Sequence, residues 1–180
     1  KVLEHISKLK PVFPKPSINQ IVQNRFNEKK FINNAGIKTT NYVLISNQSD
    51  IINNKDLLPG LLKTCTLGYD GKGQFVLNNV EEARELKIDF DKEYILEKKV
   101  NLKKEISVVI TRFLNNDFTI YEPIENLHIN QILSRSIIPA DINKNIFEKA
   151  QQQAKLIAEK LDYVGTMCVE YFIDEKNNLL

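Results

Sequence analysis

The chain has 180 residues, of which 42% are hydrophobic, and its 25 Lys and Arg nearly balance its 23 Asp and Glu. That is enough for one compact core or two small lobes, while a formal net charge of +2 does not favour nucleic acid or an anionic membrane as partner. No apolar run approaches the ~20 residues of a membrane-spanning helix, and the chain does not begin with the apolar stretch of a signal peptide. We therefore expect a cytoplasmic protein that binds neither nucleic acid nor membrane.

The two ends of the sequence indicate part of a longer polypeptide. The chain opens without Met inside an amphipathic helical pattern, and it closes on an apolar segment just after the turn-like residues 174–177. An apolar strand that has barely begun usually continues and pairs with the strand before it. We expect the protein to be truncated at both ends.

The first half of the chain predicts short helices and strands. The chain begins with a short helical pattern. Pro11, Pro14 and Pro16 then indicate an extended connection between units. Helical spacing of apolar residues follows over 18–34, with a possible break near Asn24. Gly36 stands where a helix C-terminus needs a left-handed residue. The remaining predicted elements of this half are strands over 42–45, 61–66 and 74–77 and a helix from Asn79 to about Leu86.

The second half predicts a mostly antiparallel meander with one long helix. Segments rich in Ile, Val and Tyr are separated by turn residues, which predicts strands over 94–100, 105–114, 118–121 and 128–138. Apolar residues at helical spacing predict a helix over 143–161, and a strand over 164–173 follows it.

The most unusual segment is the glycine-rich stretch 68–73, which holds three of the six glycines. Glycines between two strands can turn backbone N–H groups inward and form an anion site, for which phosphate is the natural ligand. It is neither a Walker A loop nor a dinucleotide-binding turn, and taken alone it is also compatible with an ordinary hairpin. Lys63 ends the preceding strand, where it would either neutralise a bound phosphate or stay solvated.

Three carboxylates stand out beside this loop. Glu97 and Glu105 lie on either side of a strand-to-strand connection. Their carboxylates could accept hydrogen bonds from the donor groups of a nucleotide, or they could be ordinary surface charges. Alternation along the last strand places Glu170 on one face with Thr166, Cys168 and Phe172. An acid among apolar neighbours needs a partner, which a phosphate-bridging Mg²⁺ or a salt bridge would provide.

The cysteines and histidines indicate no separate chemistry. Cys65 and Cys168 lie far apart, so we interpret them as reduced and mostly buried thiols. His5 and His128 lack metal-ligand spacing and would by default be ordinary hydrogen-bonded residues. No arrangement typical of a nucleophilic hydrolase appears.

Taken in order, the motifs match a known set. They are Gln23-Asn24-Arg25 with Glu28-Lys29, Lys63, the Gly-Tyr-Asp-Gly-Lys-Gly-Gln loop 68–74, Glu97-Lys98-Lys99-Val100, segment 104–108, Glu125-Asn126-Leu127-His128, and 162–165 leading to 170–172. This order resembles the N5-carboxyaminoimidazole ribonucleotide synthetase family, ATP-grasp enzymes of bacterial and fungal purine biosynthesis. Asn24 departs from the family pattern, in which Asp usually stands there.

The resemblance implies an α+β ATP-grasp fold, in which two lobes with mostly antiparallel sheets clasp ATP. Residues 1–24 would be the end of a preceding domain and a linker, 25–97 the small lobe and 98–180 an incomplete larger lobe. ATP and bicarbonate would give carboxyphosphate, and the amine of 5-aminoimidazole ribonucleotide would take up the carboxyl group, in IMP biosynthesis. A homodimer is common in the family.

The resemblance also implies roles for individual residues. Arg25 and Lys63 would contact phosphates, loop 68–74 would close over them, and Glu97 with the backbone near Val100 would read adenine. Glu105 would hold the ribose, His128 would lie on the nucleotide side, and Glu170 would be one of two acidic Mg²⁺ ligands. The residues implied to bind nucleotide or substrate also include Gly68, Gly71, Gly73, Gln74, Lys98 and Lys99, and the ones facing the imidazole ribonucleotide are Tyr69, Asp70 and Lys72.

Other interpretations stay open. In the family, the second metal carboxylate comes from an Asn-Glu pair that follows the last strand, and these 180 residues stop short of it, so we expect little or no activity from them alone. The alternatives are another ATP-grasp ligase, such as a biotin-carboxylase-like enzyme or a formate-dependent ribonucleotide transformylase, and an ATP-binding module without turnover. A further alternative is an α+β domain that binds no nucleotide and whose glycine loop is incidental.

Overall fold

The computed structural model describes residues 2–68 and 73–180. Its first part contains short helices and four strands. In chain order these are α1 (Val2–Ile6), α2 (Pro16–Val22), α3 (Arg25–Asn34), β1 (Tyr42–Ile45), α4 (Gln48–Asn53), a 3₁₀ turn (Lys55–Leu57), β2 (Gly60–Thr64), β3 (Gln74–Leu77), α5 (Val80–Glu85) and β4 (Tyr94–Lys98). The four strands form an antiparallel sheet in the order β1-β4-β2-β3. Its core includes Ile45, Leu62 and Leu96, all fully buried.

The second part is built around one long strand. Its elements are β5 (Leu102–Arg112), β6 (Phe118–Ile120), β7 (Ile124–Ile129), β8 (Ile132–Ile137), α6 (Lys144–Lys160) and β9 (Gly165–Asp174). Strand β5 pairs with β9, β6 and β7, and β8 pairs with β7, all antiparallel. Helix α6 packs its small residues Ala150, Ala154 and Ala158 into the same core as Ile106 and Val108 of β5.

The predicted break near Asn24 is confirmed and has a local cause. The side chain of Asn24 accepts hydrogen bonds from the backbone N–H groups of Phe26 and Asn27, at 3.0 and 3.1 Å, and so caps α3. The backbone N–H of Arg25 donates to the Cys65 carbonyl at 2.9 Å, which ties the start of α3 to the end of β2. The cap therefore positions Arg25 at the end of the strand that carries Lys63.

One prediction of local structure is wrong, and one helix is absent from the predictions. Residues 128–138 are not one strand, because Asn130 and Gln131 adopt positive φ angles of 52° and 66° and turn the chain between β7 and β8. Helix α4 was not predicted, although Asn47 and Asp50 form a capping box at its start. By contrast, the strands over 42–45 and 74–77 are confirmed, and α6 differs by one residue at each end from the predicted helix.

No helix in residues 2–68 and 73–180 has both the length and the apolar character needed to cross a membrane.

Asp162 joins the N-terminal segment to the second sheet. Its carboxylate accepts hydrogen bonds from the ammonium of Lys15 and from the guanidinium of Arg112, the latter at 2.6 Å. These two cations, Lys15 first, lower the pKa of Asp162 from 3.8 to about 2. A lowered carboxyl pKa contributes stability that is present above pH 3.8 and is lost as the pH falls towards 2.

We expect Asp162→Asn to lower the free energy of unfolding at pH 7, by a difference that shrinks as the pH falls from 3.8 towards 2. The substitution removes the charge that both cations share, but at low pH the native carboxyl is protonated as well. Urea denaturation of the chain and its variant at pH 7, 4 and 2.5 measures the difference, with Asp91→Asn at an exposed position as control. A difference that is the same at every pH would contradict this interpretation.

Candidate functional site

One cleft of about 730 Å³ brings together five of the predicted site residues, whereas Gly68, Gly73, Gln74, Lys98, Lys99, Val100 and His128 are not part of its lining. Side chains of α2, α3, β2, β4, β5 and β9 line it, so it lies between the two sheets. The predicted residues among its lining are Arg25, Lys63, Glu97, Glu105 and Glu170. Elements far apart in sequence therefore direct these five residues to the same space.

Glu97 is the buried centre of the charged part of the cleft. Antiparallel pairing of β2 with β4 places Lys63 opposite Ile95, so that Lys63 and Glu97 are diagonal neighbours on one face. The ammonium of Lys63 lies 3.0 Å from Glu97 Oε2, and the ammonium of Lys29 lies 3.7 Å from the same oxygen. Glu97 is only 3% exposed. A buried carboxylate needs such partners, and here two cations share it.

The cleft shifts the pKa values of two charged groups on α3, Lys29 and Glu28. Burial lowers the pKa of Lys29 most, the nearby charge of Lys63 lowers it further, and Glu97 opposes both. Protein atoms along the cleft desolvate the Glu28 carboxyl and raise its pKa, although the residue as a whole is exposed, and Arg25 partly offsets this. The first turns of α3 therefore bring Arg25, Glu28 and Lys29 to the cleft, where contact with water is limited.

The backbone after β4 offers a free donor. Residues 98 and 99 are engaged: Lys98 N–H donates to Asn41 O at 2.8 Å, Thr40 Oγ1 donates to Lys98 O at 2.7 Å, and Lys99 N–H donates to Pro59 O at 3.0 Å. Val100 N–H makes no hydrogen bond within residues 2–68 and 73–180. An unpaired, half-buried donor of this kind is suited to a ligand acceptor.

The ammonium of Lys98 is held away from ligand contacts by the protein. It donates to the carbonyl oxygens of Asp56 and Leu58, at 2.9 and 2.7 Å, and so anchors the 3₁₀ turn to β4. Lys99 is exposed. Any contact of Lys98 with a nucleotide would therefore come from its backbone.

Glu105 and His128 form a second pair in the cleft region. Glu105 pairs with Asn126 in the β5–β7 register, and His128 lies two residues further along the same strand. His128 Nδ1 lies 2.9 Å from Glu105 Oε2, and each side chain is 29% exposed. Burial raises the pKa of Glu105, His128 lowers it, and the charge of Glu170 raises it. A carboxylate oriented in this way can accept hydrogen bonds from neutral hydroxyl groups.

Strand β9 confirms the predicted alternation. Thr166, Cys168, Glu170 and Phe172 are exposed on one face, whereas Tyr171 and its alternate neighbours contribute to the core. The same alternation shows that the prediction of two mostly buried thiols is wrong for Cys168, which is exposed, while Cys65 is buried. Both cysteines are free.

The residues present fit a divalent cation only in part. Glu170 supplies a carboxylate oxygen, the donor type that Mg²⁺ prefers, and its charge raises the pKa values of both Glu28 and Glu105. Within residues 2–68 and 73–180, no group of three or more His, Cys, Asp or Glu side chains is arranged to hold a metal. Glu170 therefore fits as one acidic ligand among others, such as phosphate oxygens.

The glycine loop is described only at its ends. Tyr69, Asp70, Gly71 and Lys72 lie outside the described residues, so the predictions on them stay predictions. Gly73 has a φ angle of 74°, and a Cβ atom there would lie 2.9 Å from Thr64 Oγ1. Glycine is required here because the backbone passes so close to Thr64. Gln74 pairs with Lys63 in the β2–β3 register.

Sequence reasoning assigned no role to Lys29 or to a polar network beside Glu105. Asn126 Nδ2 donates to Ser107 Oγ, and Ser136 Oγ donates to Asn126 Oδ1, both at 2.9 Å. Lys29 follows Arg25 by four residues, so helical spacing alone would have placed both on one face. No local signal points to the Asn126 network, which depends on strand register.

Comparisons with known proteins agree with this geometry. A family model described as "ATP-grasp domain" matches residues 30–180. The chain is 38% identical over 163 residues to the N5-carboxyaminoimidazole ribonucleotide synthase of Staphylococcus aureus (strain COL), and 39% identical over 165 residues to the synthase of Bacillus subtilis (strain 168). Each match covers 89% of this chain and 43% of the relative.

Solved structures give the same result. The chain superposes on an ADP complex of an N5-carboxyaminoimidazole ribonucleotide synthetase with a TM-score of 0.89 and 38% identity, covering 98% of this chain and 48% of that one. The chain thus spans under half the length of the relatives it matches. Because the family model covers most of the chain and the two antiparallel sheets enclose one charged cleft, the protein belongs to the ATP-grasp family.

Proposed function

We propose that the chain forms the nucleotide-binding part of an N5-carboxyaminoimidazole ribonucleotide synthetase, a carbon–nitrogen ligase of purine (IMP) biosynthesis. The reaction carboxylates 5-aminoimidazole ribonucleotide with bicarbonate, and ATP is converted to ADP and phosphate. The observation that carries the proposal is the convergence of Arg25, Lys63, Glu97, Glu105 and Glu170 on one cleft. The identity to named synthases supports this choice among ATP-grasp ligases.

The chemistry makes two demands that the cleft meets. A bicarbonate oxygen attacks the γ-phosphorus of ATP and ADP leaves. The amine of the imidazole ribonucleotide then attacks the carboxyl carbon of carboxyphosphate, phosphate leaves, and the nitrogen loses a proton. The first step needs cations beside the transferring phosphoryl group, which Lys63 and Arg25 supply. The labile intermediate needs protection from water, which a cleft between two lobes favours.

The nucleotide is held by groups on both sheets. Adenine is read by Val100 N–H and the neighbouring backbone of residues 97–99, since this donor is otherwise unpaired in the described chain. The ribose hydroxyls donate to Glu105, which His128 orients. Loop 68–74 covers the phosphates, and Tyr69, Asp70 and Lys72 face the imidazole ribonucleotide. When Mg²⁺ is bound, Glu170 is one of its ligands, and the ion offsets the charge of the phosphates.

The reaction is tested by ADP formation from ATP with the full-length protein. We expect ADP and the carboxylated ribonucleotide to form in equal amounts only when 5-aminoimidazole ribonucleotide and bicarbonate are both present, because each supplies one atom of the new carbon–nitrogen bond. Matched reactions replace the acceptor with biotin, or bicarbonate with formate, since these distinguish the other ATP-grasp ligases. Turnover with one of those substrates, or ATP binding without any turnover, would contradict the proposed reaction.

Three broader features complete the proposal. We propose the division into 1–24, 25–97 and 98–180, because the first sheet ends at Lys98 and the second begins at Leu102. We also propose a cytoplasmic location, where ATP and nucleotide intermediates are available. A homodimer of the full-length protein stays a prediction, and β8 offers one surface for it, because it pairs only with β7 in the described chain and is exposed throughout.

A further inference from the structure

Lys29 occupies a position in the cleft that the proposed reaction leaves unexplained. Its side chain is 19% exposed, so a long, flexible cation is largely withdrawn from water. It lies 5.9 Å from the centre of the Tyr42 ring, and its ammonium lies 3.7 Å from Glu97 Oε2. Desolvating an ammonium is costly, and a surface ion pair would not require it. We therefore look to the neighbouring charges of the site to explain why Lys29 is desolvated.

That balance depends on the pair formed by Lys63 and Glu97. With Oε2 only 3.0 Å from the Lys63 ammonium, the carboxylate cancels most of the field that Lys63 would present to an anion in the cleft. Taken together the pair is neutral. A second cation on the same carboxylate oxygen gives the group a net charge of +1, located where Lys63 faces the cleft.

Resting on the proposed function, we propose that Lys29 is a positioning residue that neutralises Glu97 and thereby leaves the charge of Lys63 available to the phosphates of ATP. Lys29 acts through Glu97 and need not touch the nucleotide. The direction of the effect follows from Coulomb's law, since removal of one positive charge beside the carboxylate leaves the anion site less positive at short range and low solvation.

The other charges around Lys29 are consistent with this role. Arg25 and Glu28 lie on the same helix and partly cancel each other. Glu28 is the only acid of α3, and it attracts Lys29 less than Glu97 does. From the facing strands, Lys63 repels Lys29 and Glu97 attracts it. Glu97 is thus the group whose charge Lys29 is placed to balance.

The test compares nucleotide binding by the full-length protein and by its Lys29→Met variant, which retains the length of the side chain and removes its charge. We expect the dissociation constant for ATP with Mg²⁺, measured by titration calorimetry, to rise about tenfold, the effect of roughly one moderate charge interaction. The dissociation constant for adenosine should stay unchanged, because adenosine has no phosphates. Lys30→Met is the matched control, since Lys30 is the exposed neighbour on the same helix.

Two further variants separate positioning from structural support. Lys29→Arg keeps the charge and should restore ATP affinity. In a protein that already carries Glu97→Gln, Lys29→Met should weaken ATP binding clearly less, because no carboxylate charge is left to offset Lys63 and only the direct charge of Lys29 is lost. Equal weakening of ATP and adenosine, or the same loss in both Glu97 backgrounds, would overturn the inference.

Different binding results would contradict the nucleotide site and the role of Lys29. If the unsubstituted full-length protein bound neither ATP nor adenosine, the nucleotide site itself would be wrong. If it bound ATP tightly and Lys29→Met bound ATP equally well, the nucleotide site would stand and the role of Lys29 would be wrong.

Discussion

Replacing Lys63 with Ala in the full-length protein is expected to lower kcat/KM for ATP by about 10²-fold or more, the size typical of a lost group that stabilises charge in a transition state. Lys63 lies 3.0 Å from the buried Glu97 and is the residue before the end of β2, the strand that precedes the glycine loop, and the proposed function puts it beside the transferring phosphoryl group. Steady-state ADP formation over a range of ATP concentrations measures the effect.

Two controls make this result specific. Lys87→Ala removes an exposed lysine outside the cleft and should leave the kinetics unchanged. Lys63→Arg retains the charge and should retain part of the activity, whereas loss of folding would appear as a lower midpoint of thermal unfolding. Unchanged kinetics in Lys63→Ala would remove Lys63 from the mechanism.

Replacing Glu105 with Ala is expected to weaken ATP binding by about 10- to 100-fold, since hydrogen bonds to a charged group contribute ~1.5–3 kcal/mol. The Glu105 carboxylate is only partly exposed and is oriented by His128 Nδ1 at 2.9 Å, so it is ready to accept from ribose hydroxyls. Titration with ATP and with 2′,3′-dideoxy-ATP measures the contribution of those hydroxyls.

The ratio of the two affinities distinguishes this role from a general loss of structure. The unsubstituted chain should prefer ATP, and Glu105→Ala should bind both nucleotides equally weakly, because the acceptor for the hydroxyls is gone. Glu175→Ala, at an exposed position after β9, should keep the preference. A Glu105→Ala variant that still prefers ATP would show that the ribose is held elsewhere.

Elements with strong local signals were predictable from the sequence. The break before α3 depends on the Asn24 side chain and its neighbours, and α6 depends on apolar residues at helical spacing. The two faces of β9 follow from simple alternation, which correctly separates Glu170 from the residues that face the core. In these cases the interactions that decide the structure lie within a few residues.

The misses occurred where local signals were weak or long-range contacts decided the result. The turn at Asn130 and Gln131 contains no glycine or proline, so the chain through β7 and β8 read as one strand. Cys168 was assigned to the interior by its residue type, although its strand position directs it outward. Helix α4 is short, and only its capping box marks it.

The sequence by itself determined the kind of protein: a nearly neutral chain with a glycine-rich loop and an ordered set of lysines and carboxylates that belong to a nucleotide-binding family. The tertiary structure alone decided which of these charges meet. Lys63 and Glu97 are 34 residues apart, and only the β2–β4 register brings them to 3.0 Å. Helix α3 then adds Lys29 to the same oxygen. Coulomb energy depends on distance and solvation in the folded molecule, and neither is encoded by spacing along the chain.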